Sequence, residues 1–352
     1  MRSSERIKTS IAVFAAVMFF AAASAPSFAG VVEGKAVFEA KNCSGCHETV
    51  GMAKEKTIQG RLSKKGPELW YAGDKFKKAF LDSWLKDPKP IRPFKYNSLT
   101  EKNKGDHPKL EARDALQVSD YLMSLVSGAM GQAGVEARAS ALGKIVFVKR
   151  FSCYGCHEAT SRGNNVGGLS GPSLVNAGAR LRTDWIYAYL SNSRTFKPVN
   201  DMPEYSGIMT DAEMLEAASY IASMTSPVND RVTAVNVDRV KTDPLRSRFT
   251  VTAVKAETAK DNYRFYCAQC HGLDGKGDGP NALESMPVSP RDHTNAAQMG
   301  KLTDEDLINA ITDGGAALSK SSFMPPFGKT LAKKEIIELK DYLRRLCNCK
   351  AR

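Results

Sequence analysis

Beyond its first thirty residues the chain has no apolar run approaching the ~18–20 residues a membrane span needs, which excludes a polytopic membrane protein. Low-complexity tracts are missing. Acidic residues are in short supply: 38 Asp and Glu stand against 50 Lys and Arg, a formal balance of +12. Histidine is scarcer still, five in 352 residues, so a metal centre has few places to be. No acid–base pair or substrate pocket announces itself, which leaves general acid–base catalysis without a site. What remains is an ordinary globular composition, 42% hydrophobic and 25% charged, on a chain long enough for about two to three domains. The eight cysteines are the anomaly, because six of them fall in three copies of one string.

The N-terminus reads as an export address. Arg2, Arg6 and Lys8 form a basic region, Ile11 to Ala23 an apolar stretch, and Ser27-Phe28-Ala29 a small-residue cleavage site before Gly30. Residues 1–29 are therefore expected to be a cleaved signal peptide rather than an anchor, with the mature chain in a bacterial periplasm. No Cys stands at the cleavage point, so a lipid anchor is not expected there. Removing three basic residues and one acidic one leaves a mature balance of +10.

The strings are Cys43-Ser-Gly-Cys46-His47, Cys153-Tyr-Gly-Cys156-His157 and Cys267-Ala-Gln-Cys270-His271. Each follows a short helical stretch: Gly34 to Phe38, Gly143 to Phe147, and Asp261 to Phe265. Each repeat closes on an amphipathic helix, expected over Ala115–Leu125, Ala212–Met224 and Lys333–Leu346, with Tyr121, Tyr220 and Tyr342 as its aromatics. The expected division is 30–127, then a small-residue linker, 135–225, a long connection or strap over 226–258, and 259–352. Strand content should be small.

Cys-x-x-Cys-His is the attachment signature of c-type haem. Two thiols three residues apart lie on one face of a helical turn and can reach the two vinyl groups on one porphyrin edge. The following His is directed at the iron. A thioredoxin-like pair does not need that His, and zinc would need a second pair or further histidines. Three covalently bound haems are expected, held by Cys43, Cys46 and His47; Cys153, Cys156 and His157; and Cys267, Cys270 and His271. Gly66-Pro67 and Gly171-Pro172 are candidates to supply carbonyls to His47 and His157, with Pro290 a weaker equivalent for His271.

The second axial ligand decides what a haem does. Asp201-Met202-Pro203 and Phe323-Met324-Pro325 each place a Met 18 residues before the tyrosine of the closing helix. Met202 and Met324 are accordingly expected to ligate iron. Repeat one carries Asp106-His107-Pro108 instead, with His107 14 residues before Tyr121. His107 is expected to ligate the first haem, with Lys95, Lys102, Lys104 or an open position as alternatives. His293 reads as a hydrogen-bonded loop histidine. Cys347 and Cys349, in Cys-Asn-Cys, cannot take a haem in the usual way and read as a small disulfide or as thiols without a role.

These residues resemble class I cytochrome c domains, three in tandem. The resemblance rests on the Gly-x-x-x-aromatic start, the Cys-x-x-Cys-His strings, Gly-Pro-x-Leu at 66–69 and 171–174, and Met-Pro in repeats two and three. It covers nearly all of the mature chain except 226–258. It implies an all-α fold of three helical domains with little strand. Repeat one departs at the methionine, and repeat three has Ala259 where the others have Gly34 and Gly143.

The expected function is electron transfer by a tri-haem carrier between respiratory redox partners, either free or as a subunit of a membrane oxidoreductase complex. A quinol-oxidising complex, an oxidase or a reductase is the expected partner; nucleic acid is not. Residues 30–130 hold 18 basic and 13 acidic residues, which suits an acidic docking face. The rival reading is a haem enzyme, a peroxidase or small-molecule reductase, with an open iron in domain one.

Overall fold

The computed structural model describes residues 28–130, 134–226 and 258–350, apart from 285 and 287. All but the last two residues of the expected leader, and nearly all of the expected strap, lie outside these. The fold is all-α with little strand, as the sequence implies. The described strands are Ala159–Ser161 and Asn164–Val166, an antiparallel hairpin. Its turn, Arg162-Gly163, has positive φ at both residues, the geometry that two-residue hairpins favour. Among the described residues no helix is long and apolar enough to cross a membrane.

Each repeat is built on one helix crossing. Phe28–Ala40 crosses Ala112–Ser124, and Ala141–Ile145 with its continuation Val146–Arg150 crosses Asp211–Ala222. Thr258–Asn262 with Tyr263–Cys267 lies on Lys333–Cys347. An aromatic pair seals each crossing: Phe38 with Tyr121 at 5.5 Å, Phe147 with Tyr220 at 5.6 Å, and Tyr263 with Tyr342 at 5.2 Å between ring centroids. The closing helices start and end within three residues of their expected bounds.

Glycine at the crossing is a matter of room. A Cβ on Gly34 would lie 1.9 Å from the Gln117 carbonyl oxygen, and one on Gly143 2.5 Å from that of Glu216. The third crossing is wider, because Ala259 sits buried there with its methyl accommodated. Ala259→Gly is therefore expected to cost only about 1 kcal/mol, one buried methyl plus backbone entropy. Thermal unfolding of the holoprotein followed by circular dichroism would read this as a small fall in midpoint.

Repeats one and two share one hydrophobic core, from Phe38 through to Ala222. They meet through the same segment of each. Ala72-Gly-Asp-Lys-Phe-Lys77 pairs antiparallel with Ala177-Gly-Ala-Arg-Leu-Arg182, Lys77 N donating to Arg180 O and Arg182 N to Lys75 O, both at 2.9 Å. Tyr71 stacks on Trp185 at 6.3 Å, and Phe196 closes the cluster against Trp70 and Tyr71. Repeat three has its own core, with Ile58 of repeat one and Val199 of repeat two packed against it. Its Thr330 accepts from the Arg194 guanidinium at 2.7 Å through its carbonyl and from Glu204 N at 2.9 Å through its hydroxyl.

Candidate functional site

The first two strings fold alike. A left-handed residue, Asn42 (φ 55°) or Ser152 (φ 45°), turns the chain into a single tight turn, Cys43–Gly45 or Cys153–Gly155. The amide of each histidine then donates to the carbonyl of the first cysteine, at 3.0 Å for His47 and 3.2 Å for His157. The third string stays helical through Ala268–His271 and leaves the helix at Gly272, φ 77°. In all three, both thiols and the imidazole are displayed from one turn.

Each histidine is fixed through Nδ1. His47 Nδ1 lies 2.8 Å from the Pro67 carbonyl, His157 Nδ1 2.8 Å from that of Pro172, and His271 Nδ1 2.9 Å from that of Arg291. A carbonyl only accepts, so Nδ1 carries the proton and Nε2 keeps its lone pair for a metal. Burial lowers the pKa of all three rings, which keeps them in the neutral, ligating form. The third acceptor is Arg291, one residue past the anticipated Pro290, because Gly277 lies against the Pro290 carbonyl. Gly66 and Gly171 make the first two contacts possible. A Cβ on Gly66 would stand 2.9 Å from His47 Cε1, and one on Gly171 2.5 Å from His157 Nδ1.

The donor chemistry separates haem attachment from its rivals. A reactive dithiol needs a depressed thiol pKa. Here burial raises Cys43, and pushes Cys153 and Cys267 up to about 12. Cys270 is the exception, lowered by a hydrogen bond from Cys156. Where burial raises the thiol, a neutral S–H beside a neutral imidazole suits addition across a vinyl group, and Nε2 would be free to hold the iron.

Space and charge fit the same group. A cavity of about 440 Å³ in repeat three is lined by Cys267, Cys270, His271 and Met324, with Leu307, Ile311, Leu339 and Leu343 among its apolar walls. That volume falls in the roughly 300–1,000 Å³ of cofactor sites. Met324 is delivered by a kink: helix Asp304–Ala317 breaks at Gly314 (φ 78°), and Gly315 N donates to Met324 O at 3.0 Å. Between repeats one and two lie buried Arg61, Arg180 and Lys197 with Glu68, and also Asp201, which burial would raise but Arg92, Arg61 and Lys197 hold below the carboxylate range. Tyr71 Oη, Trp70 Nε1, Trp185 Nε1 and Arg61 Nε are buried there without a protein partner. Unpaired donors amid excess positive charge suit carboxylates such as haem propionates. The strings carry no signal for this cluster. The repeated Ala-Gly-x-basic-apolar-basic segment was the available clue to the interface that buries it.

His47 and His107 come together, their ring centroids 6.1 Å apart and planes inclined at 46°. Two metal–nitrogen bonds of roughly 2 Å each, plus two half-rings, span such a gap. His107 Nδ1 is 3.0 Å from the Pro108 carbonyl, leaving Nε2 as the free nitrogen, and Trp84 flanks its ring at 4.7 Å. Lys95 is engaged by Glu101 at 3.1 Å, while Lys102 and Lys104 are exposed. Met202 is half-buried against the shared core, its amide donating to Asn200 Oδ1 at 3.3 Å. His293 is more than a loop histidine. It is buried, bonded to Tyr263 Oη at 2.9 Å and stacked on His271 at 4.1 Å. Cys347 and Cys349 form a disulfide, with Cys347 packed in the third core.

The cytochrome c family model matches residues 31–126 and 140–225, together more than half of the chain. A second model, the cbb3-type cytochrome c oxidase subunit III, matches 254–343. No curated protein matches. Among solved structures, a chain of the Kuenenia stuttgartiensis reducing HAO-like protein complex is 21% identical, the match covering 59% of this chain and 97% of that one with a TM-score of 0.22.

Proposed function

Because the chain belongs to the cytochrome c family, whose members bind haem c covalently and transfer electrons, we propose that it is a three-haem relay exported to the periplasm. The observation that carries this is the threefold recurrence of one device: two thiols and an imidazole on one turn, the imidazole tied through Nδ1 to a carbonyl. Bound haem supplies one-electron exchange at its iron. The chain supplies the rest. Cys43 and Cys46, Cys153 and Cys156, and Cys267 and Cys270 anchor the three groups. His47, His157 and His271 are the proximal ligands. His107, Met202 and Met324 complete the coordination, and the buried Arg and Lys residues neutralise propionates.

Thioether ligands hold iron at higher potential than imidazole does. The first haem, faced by His47 and His107, is then the lowest of the three, and electrons run from repeat one toward repeats two and three. The leader-like residues 1–29 support export. The match of 254–343 to an oxidase subunit model supports an oxidase or a quinol-oxidising complex as partner, and the mature balance of +10 favours a partner with an acidic docking face.

The test is a haem count by pyridine haemochrome with a spectroscopic redox titration of the purified protein. Three haems per chain, one titrating well below the others and none binding carbon monoxide when ferrous, is the expected result. Carbon monoxide binding at one haem would return the open-iron enzyme in repeat one.

A further inference from the structure

The second and third attachment strings touch. Gly168 packs against both Cys156 and Asn281, and Asn281 reaches Cys270 Sγ at 3.7 Å, so two sulfurs that each bind a different haem are neighbours. Cys156 is also part of the wall of the cavity that holds Cys267, Cys270, His271 and Met324. One side chain of repeat two thus borders the haem site of repeat three.

The joint around these sulfurs is built from buried polar side chains. Asn281, fully buried, accepts from Leu169 N at 2.8 Å and Ser170 N at 3.0 Å. Its amide donates to Ser170 Oγ at 2.9 Å and faces Cys270 Sγ at 3.7 Å. Ser170 Oγ donates in turn to Gln269 Oε1 at 2.6 Å. Gly168 lets the backbones close, since a Cβ there would lie 2.6 Å from Asn281 Oδ1 and 2.7 Å from Cys156 Cα. Beside the string, Tyr154 meets Phe323, the residue before Met324, edge to face at 4.8 Å, and Ser152 Oγ meets Ser322 Oγ at 2.6 Å. Both side-chain polar atoms of Asn281 reach across the boundary to Leu169 and Ser170, which makes it a clamp between the two repeats. Among the described residues the string of repeat one has no such contact, and its Cys46 is exposed.

We propose that the haems of repeats two and three form a directly coupled pair, abutting at the edges carried by Cys156 and Cys270 and clamped by Asn281, with the first haem outside it. The inference rests on the three-haem reading above. Its consequence is that an electron reaching either member is shared with the other before it leaves the protein, so the pair behaves as one exit port with two sites.

Soret-band circular dichroism of the reduced holoprotein tests this, because two haems at close range give a paired positive and negative signal that isolated haems lack. The paired signal should be present in the wild type and survive Cys43→Ala/Cys46→Ala, which removes haem one. It should vanish in Cys267→Ala/Cys270→Ala. Its loss with haem one, or its survival without haem three, would overturn the proposal. Asn281→Ala keeps all six attachment cysteines, and is expected to reduce the signal at least twofold while the haemochrome count stays at three. An unchanged signal in that variant would also overturn it. A wild-type count below three would instead sink the three-haem reading on which it stands.

Discussion

His107→Met raises the midpoint potential of one haem by on the order of 0.1 V or more and leaves the other two unmoved. The reason is the difference between the two donors. An imidazole nitrogen stabilises ferric iron, whereas a thioether sulfur is soft and favours the ferrous state. His107 is the residue that faces His47, ring centroid to ring centroid at 6.1 Å, so the change falls on the first haem alone. The companion variant His107→Ala removes the ligand outright. It is expected to leave that haem high-spin and open to carbon monoxide, which absorption spectroscopy would show directly. If both variants leave all three potentials and spin states as they were, His107 is a loop histidine resting against Trp84. The three haems titrating separately would make the outcome legible without any partner protein.

Glu68→Gln is expected to destabilise the protein by about 3 kcal/mol. Glu68 is almost fully buried, with Lys64 Nζ 2.9 Å from one carboxylate oxygen and Lys197 Nζ 3.5 Å from the other. Lys64 retains Glu48 at 3.0 Å and Glu55 at 2.7 Å after the substitution. Lys197 keeps only the pull of Asp201, and a buried ammonium without its ion-pair partner is the costly outcome. Burial already lowers Lys197 to about 8, so it can shed its proton, which holds the cost near the lower end for broken buried pairs. Burial pushes Glu68 up, but Lys197 and Lys64 outweigh it and set the carboxyl at about 2. That is below the roughly 4.3 of an unfolded glutamate. The folded state therefore binds this proton less readily. The stabilisation is complete above about pH 4.3 and drains away as the pH falls toward 2. Melting midpoints measured across that window should fall steeply for the wild type and more gently for Glu68→Gln. Parallel curves would mean that the Glu68 charge adds nothing.

The helical class and the three strings were legible because both are short-range. A Cys-x-x-Cys-His places its donors on one turn whatever surrounds it. Gly34 and Gly143 mark helix crossings, since nothing larger fits beside the Gln117 and Glu216 carbonyls. The Gly-Pro strings likewise announce a carbonyl set close against an imidazole.

What only the tertiary structure decided is how the repeats see each other. The likeness of the segments beginning at Ala72 and Ala177 marks them as equivalent, but that they pair with each other is seen only in the fold. That pairing merges two expected domains into one core and buries Arg61, Glu68 and Lys197, charged residues that belong to none of the motifs. The Arg291 carbonyl took the place foreseen for Pro290 because a loop is free to shift by one residue where a helix is not. The placing of Cys156 beside Cys270 depends on how separate units dock, and that of His293 on His271 on how the loops of one unit fold back on its string. The display of two thiols and an imidazole on one turn is a property of local geometry, and so lies in the order of the residues. Desolvation and contact between sites depend on what covers what, and that exists only once the chain has folded.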